Sequence, residues 1–263
     1  MLPLNHQFIL IDEPHAYADA AAKAVAANVQ SSATRPFLIS LSGGSTPFPV
    51  YQKLAPMLAQ SGIANNCFWM QTDERLVDAD DERSNQRGIM ASLMAGGFLA
   101  QSSFFAAPVG RGLAIPSESA FAELCQSYQR SLLGLPSEIR PPAPIDLLLL
   151  GVGADGHTAS LFTDTDWQKR SSDSGFAVFS SASQPEPRLS LTLERILQAR
   201  QIIFMVSGAS KAAILQKIFF EPDDSIPAAY IATRKKALWI LDSEAAGRNL
   251  ARLITSGNLR FEA

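Results

Sequence analysis

Asp155 and His157 stand two residues apart on a glycine-rich turn, Gly151-Val152-Gly153-Ala154-Asp155-Gly156-His157. A carboxylate so close to an imidazole can orient the ring and stabilise its protonated form. Imidazole changes protonation in the physiological range, so the pair suits acid–base work. The turn comes after Ile145-Asp146-Leu147-Leu148-Leu149-Leu150, a run of large apolar residues with the pattern of a strand buried on both faces. Such a strand delivers the next residues of the chain to the C-terminal edge of a sheet, where α/β proteins bind ligands.

Three further segments have the same strand-then-turn character. Ser42-Gly43-Gly44-Ser45-Thr46-Pro47 joins a strand to a helix. Glycines allow close backbone approach to an anion, hydroxyls add donors, and the helix start supplies free N–H groups, which makes a phosphate cradle. Taken alone, it also reads as a helix cap with a tight turn. Thr72-Asp73-Glu74-Arg75 lies just past a strand, with Ser84-Asn85 at the next helix start. Three charged residues in isolation read as a solvated loop; at a strand end they read as site residues, with Arg75 able to grip a phosphate through two parallel hydrogen bonds. Ser207-Gly208-Ala209-Ser210-Lys211 is again a strand-to-helix turn, and a lysine there opposes the helix dipole unless an anion is bound. Arg188 precedes another strand. Together Arg75, Arg188, Lys211 and the Ser42–Thr46 turn predict a pocket for one phosphate group.

Gly151, Gly153 and Gly156 satisfy the dinucleotide pattern G-x-G-x-x-G, a weak match alone. The acidic residue expected at the end of the next strand is not well placed. Asp173 is at about the right distance but sits in Ser171-Ser172-Asp173-Ser174-Gly175, a loop composition. A nicotinamide site is therefore not expected. His6 and His15, the other two histidines, read as surface or capping residues. Without a second clustered His or Cys, no metal site is expected.

The elements that must position these groups alternate in period. Strands are expected at Phe37–Leu41, Cys67–Met70, Phe104–Ala106, 145–150, Phe176–Phe179, Leu189–Leu191, Ile202–Val206 and Ala237–Leu241. Helices are expected on the stripe Ala18, Ala22, Val25 and Val29, over Thr46–Leu58 and Ser84–Leu93, and on the stripe Phe121, Leu124, Cys125, Tyr128 and Leu132. Two more are expected at Glu194–Ala199 and Ser210–Phe219. The alternation predicts one α/β domain over 1–263, a mostly parallel sheet covered by helices on both faces.

The 263 residues are 47% apolar with a net charge of −3, which gives a large core and no nucleic-acid surface. Two cysteines in unrelated contexts read as core residues in a reducing compartment. No leader or membrane span is evident, so a cytoplasmic protein is the expectation, as a monomer or homodimer.

In order, the segments at 42–47, 73–75, 84–85, Gly-x-Gly-x-Asp-Gly-His-Thr-Ala-Ser-Leu-Phe at 151–162, and 207–211 resemble the 6-phosphogluconolactonases, from Leu41 to about Ile231. The histidine-bearing motif is the most specific. The family typically has proline after Leu-Phe, where this chain has Thr163. The resemblance implies a Rossmann-like fold of the sugar-phosphate isomerase/CoA-transferase type. It also implies hydrolysis of 6-phospho-D-glucono-1,5-lactone in the oxidative pentose phosphate pathway, without metal or organic cofactor. His157 is then the base and Asp155 its orienting partner. Asp73, where related deaminases carry a catalytic carboxylate, would bind sugar hydroxyls. The rivals are an amino-sugar phosphate deaminase or isomerase and a non-catalytic sugar-phosphate sensor on the same fold. Arg75 after Asp-Glu and the run after His157 speak against the first; the intact His157 and Asp155 speak against the second.

Overall fold

The computed structural model describes residues 6–32, 34–95, 104–110 and 117–256. Met1 to Asn5, on which the expectation about a leader rests, lie outside them.

The central strands are β2 (Phe37–Leu41), β3 (Cys67–Gln71) and β6 (Leu147–Leu150). They are strongly apolar because each serves two cores. Leu148 and Leu150 join the cluster on one face of the sheet, Leu147 and Leu149 the cluster on the other. With β1 (Gln7–Ile11), β5 (Phe104–Phe105), β9 (Gln201–Val206) and β10 (Leu238–Asp242) they form a seven-stranded sheet. Its order is β1-β10-β9-β6-β2-β3-β5, and every pair is parallel. From β2 the chain winds outward to β3 and β5; from β6 it winds the opposite way to β9 and β10. The winding reverses between β2 and β6, and open α/β sheets take ligands in the crevice outside the carboxyl ends at such a point.

Helices α1 (Tyr17–Ser32), α2 (Pro47–Gln60) and α3 (Asn85–Met94) cover the face of Leu147 and Leu149. The other face is covered by α4 (Glu118–Ser131), α5 (Leu193–Gln198), α6 (Ala212–Phe220), α7 (Pro227–Arg234) and α8 (Ser243–Thr255). α1 buries Ala22, Val25 and Val29, and α4 buries Leu124, Cys125 and Tyr128, as their spacing predicts. No helix among the described residues is long and apolar enough to cross a membrane.

Four elements depart from those expected. Asp73–Arg75 is a short strand, β4, not a loop. It pairs antiparallel with β8 (Arg188–Leu191), which pairs with β7 (Phe176–Phe179), making a second sheet. Three charged residues carry no apolar signal, so only the partner strand defines β4. The strand β1 and the helices α7 and α8 also stand where the sequence pattern predicts no element. His6, expected as a surface or capping residue, is buried against α7 and β10. Its Nε2 lies 3.0 Å from the Ala232 carbonyl and its Nδ1 accepts the Ala237 N–H at 3.2 Å. The correction comes from β1, whose pairing with β10 carries the preceding residue into the core. His15 is exposed and paired with Glu13. Cys67 and Cys125 are free and buried.

Candidate active site

The turns after β2 and β6 emerge side by side at the reversal of winding. Ser42 is buried; its hydroxyl donates to the Leu149 carbonyl at 2.8 Å, and its carbonyl accepts the Tyr51 hydroxyl at 2.9 Å. These bonds fasten the turn to β6 and α2 and commit the Ser42 proton. Gly43 leaves room for Asn85, since a Cβ at 43 would lie 2.0 Å from Asn85 Oδ1. Pro47 and Pro49 in the first turn of α2 lack N–H groups, and Phe48 N donates to the Gly44 carbonyl. Any donors for an anion therefore come from the amides of Gly43–Thr46 and the hydroxyls of Ser45 and Thr46, not from the helix.

In β4, side chains alternate. Asp73 and Arg75 line the cleft, while Glu74 is fully buried. Glu74 accepts from Gln71 Nε2, Ser84 Oγ and the N–H groups of Arg75, Asn85 and Gln86, at 2.6 to 3.2 Å. Burial pushes its carboxyl up despite those donors. Glu74 thereby fixes the start of α3, and Asn85 Nδ2 reaches back to the Asp73 carbonyl at 3.1 Å.

No helix comes directly after β6. Residues 151–162 are turns closed by Gly153 N–H to the His157 carbonyl at 2.8 Å and Gly156 N–H to the Gly153 carbonyl at 3.0 Å. The dinucleotide pattern thus lacks the helix that would receive a pyrophosphate. Asp155 Oδ1 lies 2.5 Å from His157 Nδ1 and accepts the His157 N–H at 3.2 Å. The hydrogen bond from His157 holds the Asp155 carboxyl down at about 2. Nδ1 is therefore committed, and Nε2 has no protein partner among the described residues. The Phe162 ring packs 5.0 Å from the imidazole, and the Arg188 guanidinium lies over the same ring, 5.6 Å from its centroid.

Arg75 and Arg188 are directly opposed across β4 and β8. Like charges so placed repel. Glu186 sits 4.0 Å from each and 3.1 Å from Arg83, one carboxylate among three guanidiniums. Arg188 is only 8% exposed, and burial lowers its pKa. The Nε atoms of Arg75 and Arg188 are both buried without a hydrogen-bond partner. Beyond β9, Asp242 accepts Ser207 Oγ at 2.5 Å and Gly208 N–H at 3.0 Å, shaping the turn that brings in Lys211. Burial lowers the Lys211 pKa and the Asp155 charge opposes that shift.

These groups line one cleft of about 400 Å³. It includes Ser42, Gly43, Gly44, Ser45, Thr46, Asp73, Arg75, His157, Arg188 and Lys211; Asp155, bonded to His157, is outside the lining. The lining also takes in Asn85, Ser207 and Ser210, which stand in motifs visible in the sequence but carry no role predicted from it. No group of three His, Cys, Asp or Glu side chains able to hold a metal occurs among the described residues.

Fold and cleft together define an α/β protein with a histidine–aspartate contact at a sheet switch point and three cationic side chains lining the cleft beside it. The family model for glucosamine-6-phosphate isomerases/6-phosphogluconolactonase matches residues 12–239, and the chain belongs to that family. A 6-phosphogluconolactonase of Synechocystis is 35% identical over 215 residues, 81% of this chain and 84% of that protein. One from Mycobacterium leprae is 32% identical, covering 87% of this chain and 92% of its own. Among solved structures, the 6-phosphogluconolactonase of Trypanosoma cruzi superposes with a TM-score of 0.77 at 26% identity, over 92% of this chain and 96% of that one.

Proposed function

We propose that this protein hydrolyses 6-phospho-D-glucono-1,5-lactone to 6-phosphogluconate, in the oxidative pentose phosphate pathway. The 6-phosphogluconolactonases of Synechocystis and Mycobacterium leprae match over 84% and 92% of their own length. The observation that carries the chemistry is His157, held by Asp155, lining a cleft with three cationic side chains.

In this reading the substrate phosphate lies on the Gly43–Thr46 turn with Lys211, Arg75 and Arg188, and Asp73 accepts from sugar hydroxyls. His157 Nε2 takes a proton from water as the oxygen bonds to the lactone carbonyl carbon. The carbonyl electrons move onto its oxygen, and the resulting oxyanion needs nearby donors. When the tetrahedral centre collapses, the bond to the ring oxygen breaks and the imidazolium returns its proton to that oxygen. Asp155 holds Nδ1 and stabilises the imidazolium in between. Two buried free thiols fit a reducing, cytoplasmic setting for a chain acting as a monomer or homodimer.

The test is hydrolysis of freshly generated lactone, with product coupled to 6-phosphogluconate dehydrogenase and the spontaneous opening rate subtracted. A rate well above background that disappears in His157→Ala is expected. Background rates in the folded wild type would sink the reading.

A further inference from the structure

Ser160 lies three residues past His157 and is fully buried. Its Oγ donates to Asp73 Oδ2 at 2.7 Å, and its N–H donates to Ser190 Oγ at 3.2 Å. The residue before it, Ala159, has φ of 51°, the only non-glycine in the left-handed region among the described residues. That conformation is unfavourable for a residue with a Cβ. It turns the chain back sharply enough for Ser160 to reach β4 and β8, while Thr158 Oγ1 is held by the Gly151 carbonyl at 2.8 Å. The loop from the main sheet is thus tied to each of two strands of the small sheet by one side of the same residue.

The tie has a consequence for the cleft. A carboxylate turns about its terminal bond in a broad, shallow well. Asp73 is buried yet lines the cleft, and with Oδ2 engaged by Ser160, Oδ1 has no hydrogen-bond partner among the described residues. The Ser160 hydroxyl decides which oxygen faces the ligand and in what plane.

We propose that Ser160 is a positioning residue for substrate binding, its hydroxyl holding the Asp73 carboxylate so that Oδ1 accepts from a hydroxyl of the phosphosugar lactone. This rests on the proposed role of Asp73 as a substrate contact.

A double-mutant cycle in kcat and KM separates this from a loop staple. Ser160→Ala should raise KM about tenfold, the scale of one hydrogen bond to a charged group, and leave kcat within about twofold. In an Asp73→Asn background the same change should move KM little, because the group it acts through is already altered. Additive effects would overturn the proposal. So would a fall in kcat at constant KM, which would assign Ser160 to the His157 loop alone. An unchanged KM in Asp73→Asn by itself would remove the substrate contact, and the single variant distinguishes that failure from the first. If Ser160→Ala does not fold, Ser160→Cys keeps nearly the same volume with a much weaker donor and runs the same cycle under the same criteria.

Discussion

The contact between His157 Nδ1 and Asp155 Oδ1 decides which ring nitrogen can act as base. Asp155 stays ionised because its carboxyl is held at about 2, so it accepts and the ring proton resides on Nδ1. An asparagine at 155 can turn its NH₂ to the ring and favour the wrong tautomer. Asp155→Asn should therefore lower kcat at least about a hundredfold, the lower end of acid–base contributions, with KM little changed; steady-state kinetics on the lactone checks both. The pair also bears on stability. The Asp155 pKa is lower folded than unfolded, so its stabilisation is complete above the ordinary carboxylate range and is lost as pH falls through about 2. The side chain is 44% exposed, so solvent screening keeps this small. The difference in Tm between wild type and Asp155→Asn should shrink from about pH 5 to about pH 2. At this scale the sequence was informative because glycines, an acid and a histidine at fixed spacing are local chemistry. It did not reveal that the Ser42 hydroxyl proton is taken up by β6, since that depends on a strand more than a hundred residues away.

Elements were legible where burial leaves a local pattern and silent where a partner defines them. β2, β3, β6 and β9 are apolar runs because both faces are covered, and α2 and α3 begin at the Pro and Ser start signals. β4 has no such pattern, and α8 is interrupted by Gly247 at φ 61°. The loop after β6 is specified by clearance as much as by bonds. A Cβ at Gly153 would lie 2.1 Å from His157 Nδ1 and 2.5 Å from Asp155 Oδ1. Gly153→Ala must therefore displace the pair, and we expect kcat to fall about a hundredfold, as for an ångström-scale misplacement. Circular dichroism and Tm should show the fold retained. Glu74 works the other way. Removing it leaves the N–H groups of Asn85 and Gln86 without their acceptor in a buried site. Glu74→Ala should destabilise the protein by about 3 kcal/mol or more, read as a lower denaturant midpoint with an unchanged slope.

At the scale of the molecule, alternating periods announce an α/β sheet but not its strand order. The order depends on pairings such as β1 with β10, between residues at opposite ends of the chain. His6 sits at that closure. It bridges the Ala232 carbonyl at the end of α7 and the Ala237 N–H before β10, edge-on to Phe8, Phe219 and Trp239. One nitrogen donates and the other accepts, which only the neutral ring can do. Burial lowers its pKa below the ordinary 6.5, outweighing the two backbone hydrogen bonds. The unfolded chain therefore binds this proton more readily than the folded one. Stability is accordingly full above 6.5 and falls as pH drops below it toward the folded pKa. The slope from one such proton is at most about 1.4 kcal/mol per pH unit. His6→Gln keeps a donor and an acceptor but cannot titrate. Denaturant titrations between about pH 7 and about pH 5, above the range where most carboxylates protonate, should show stability falling in the wild type and nearly level in His6→Gln. Parallel slopes in the two proteins would mean that His6 accepts its proton inside the fold, and that the joint between the chain's two ends does not depend on a neutral ring.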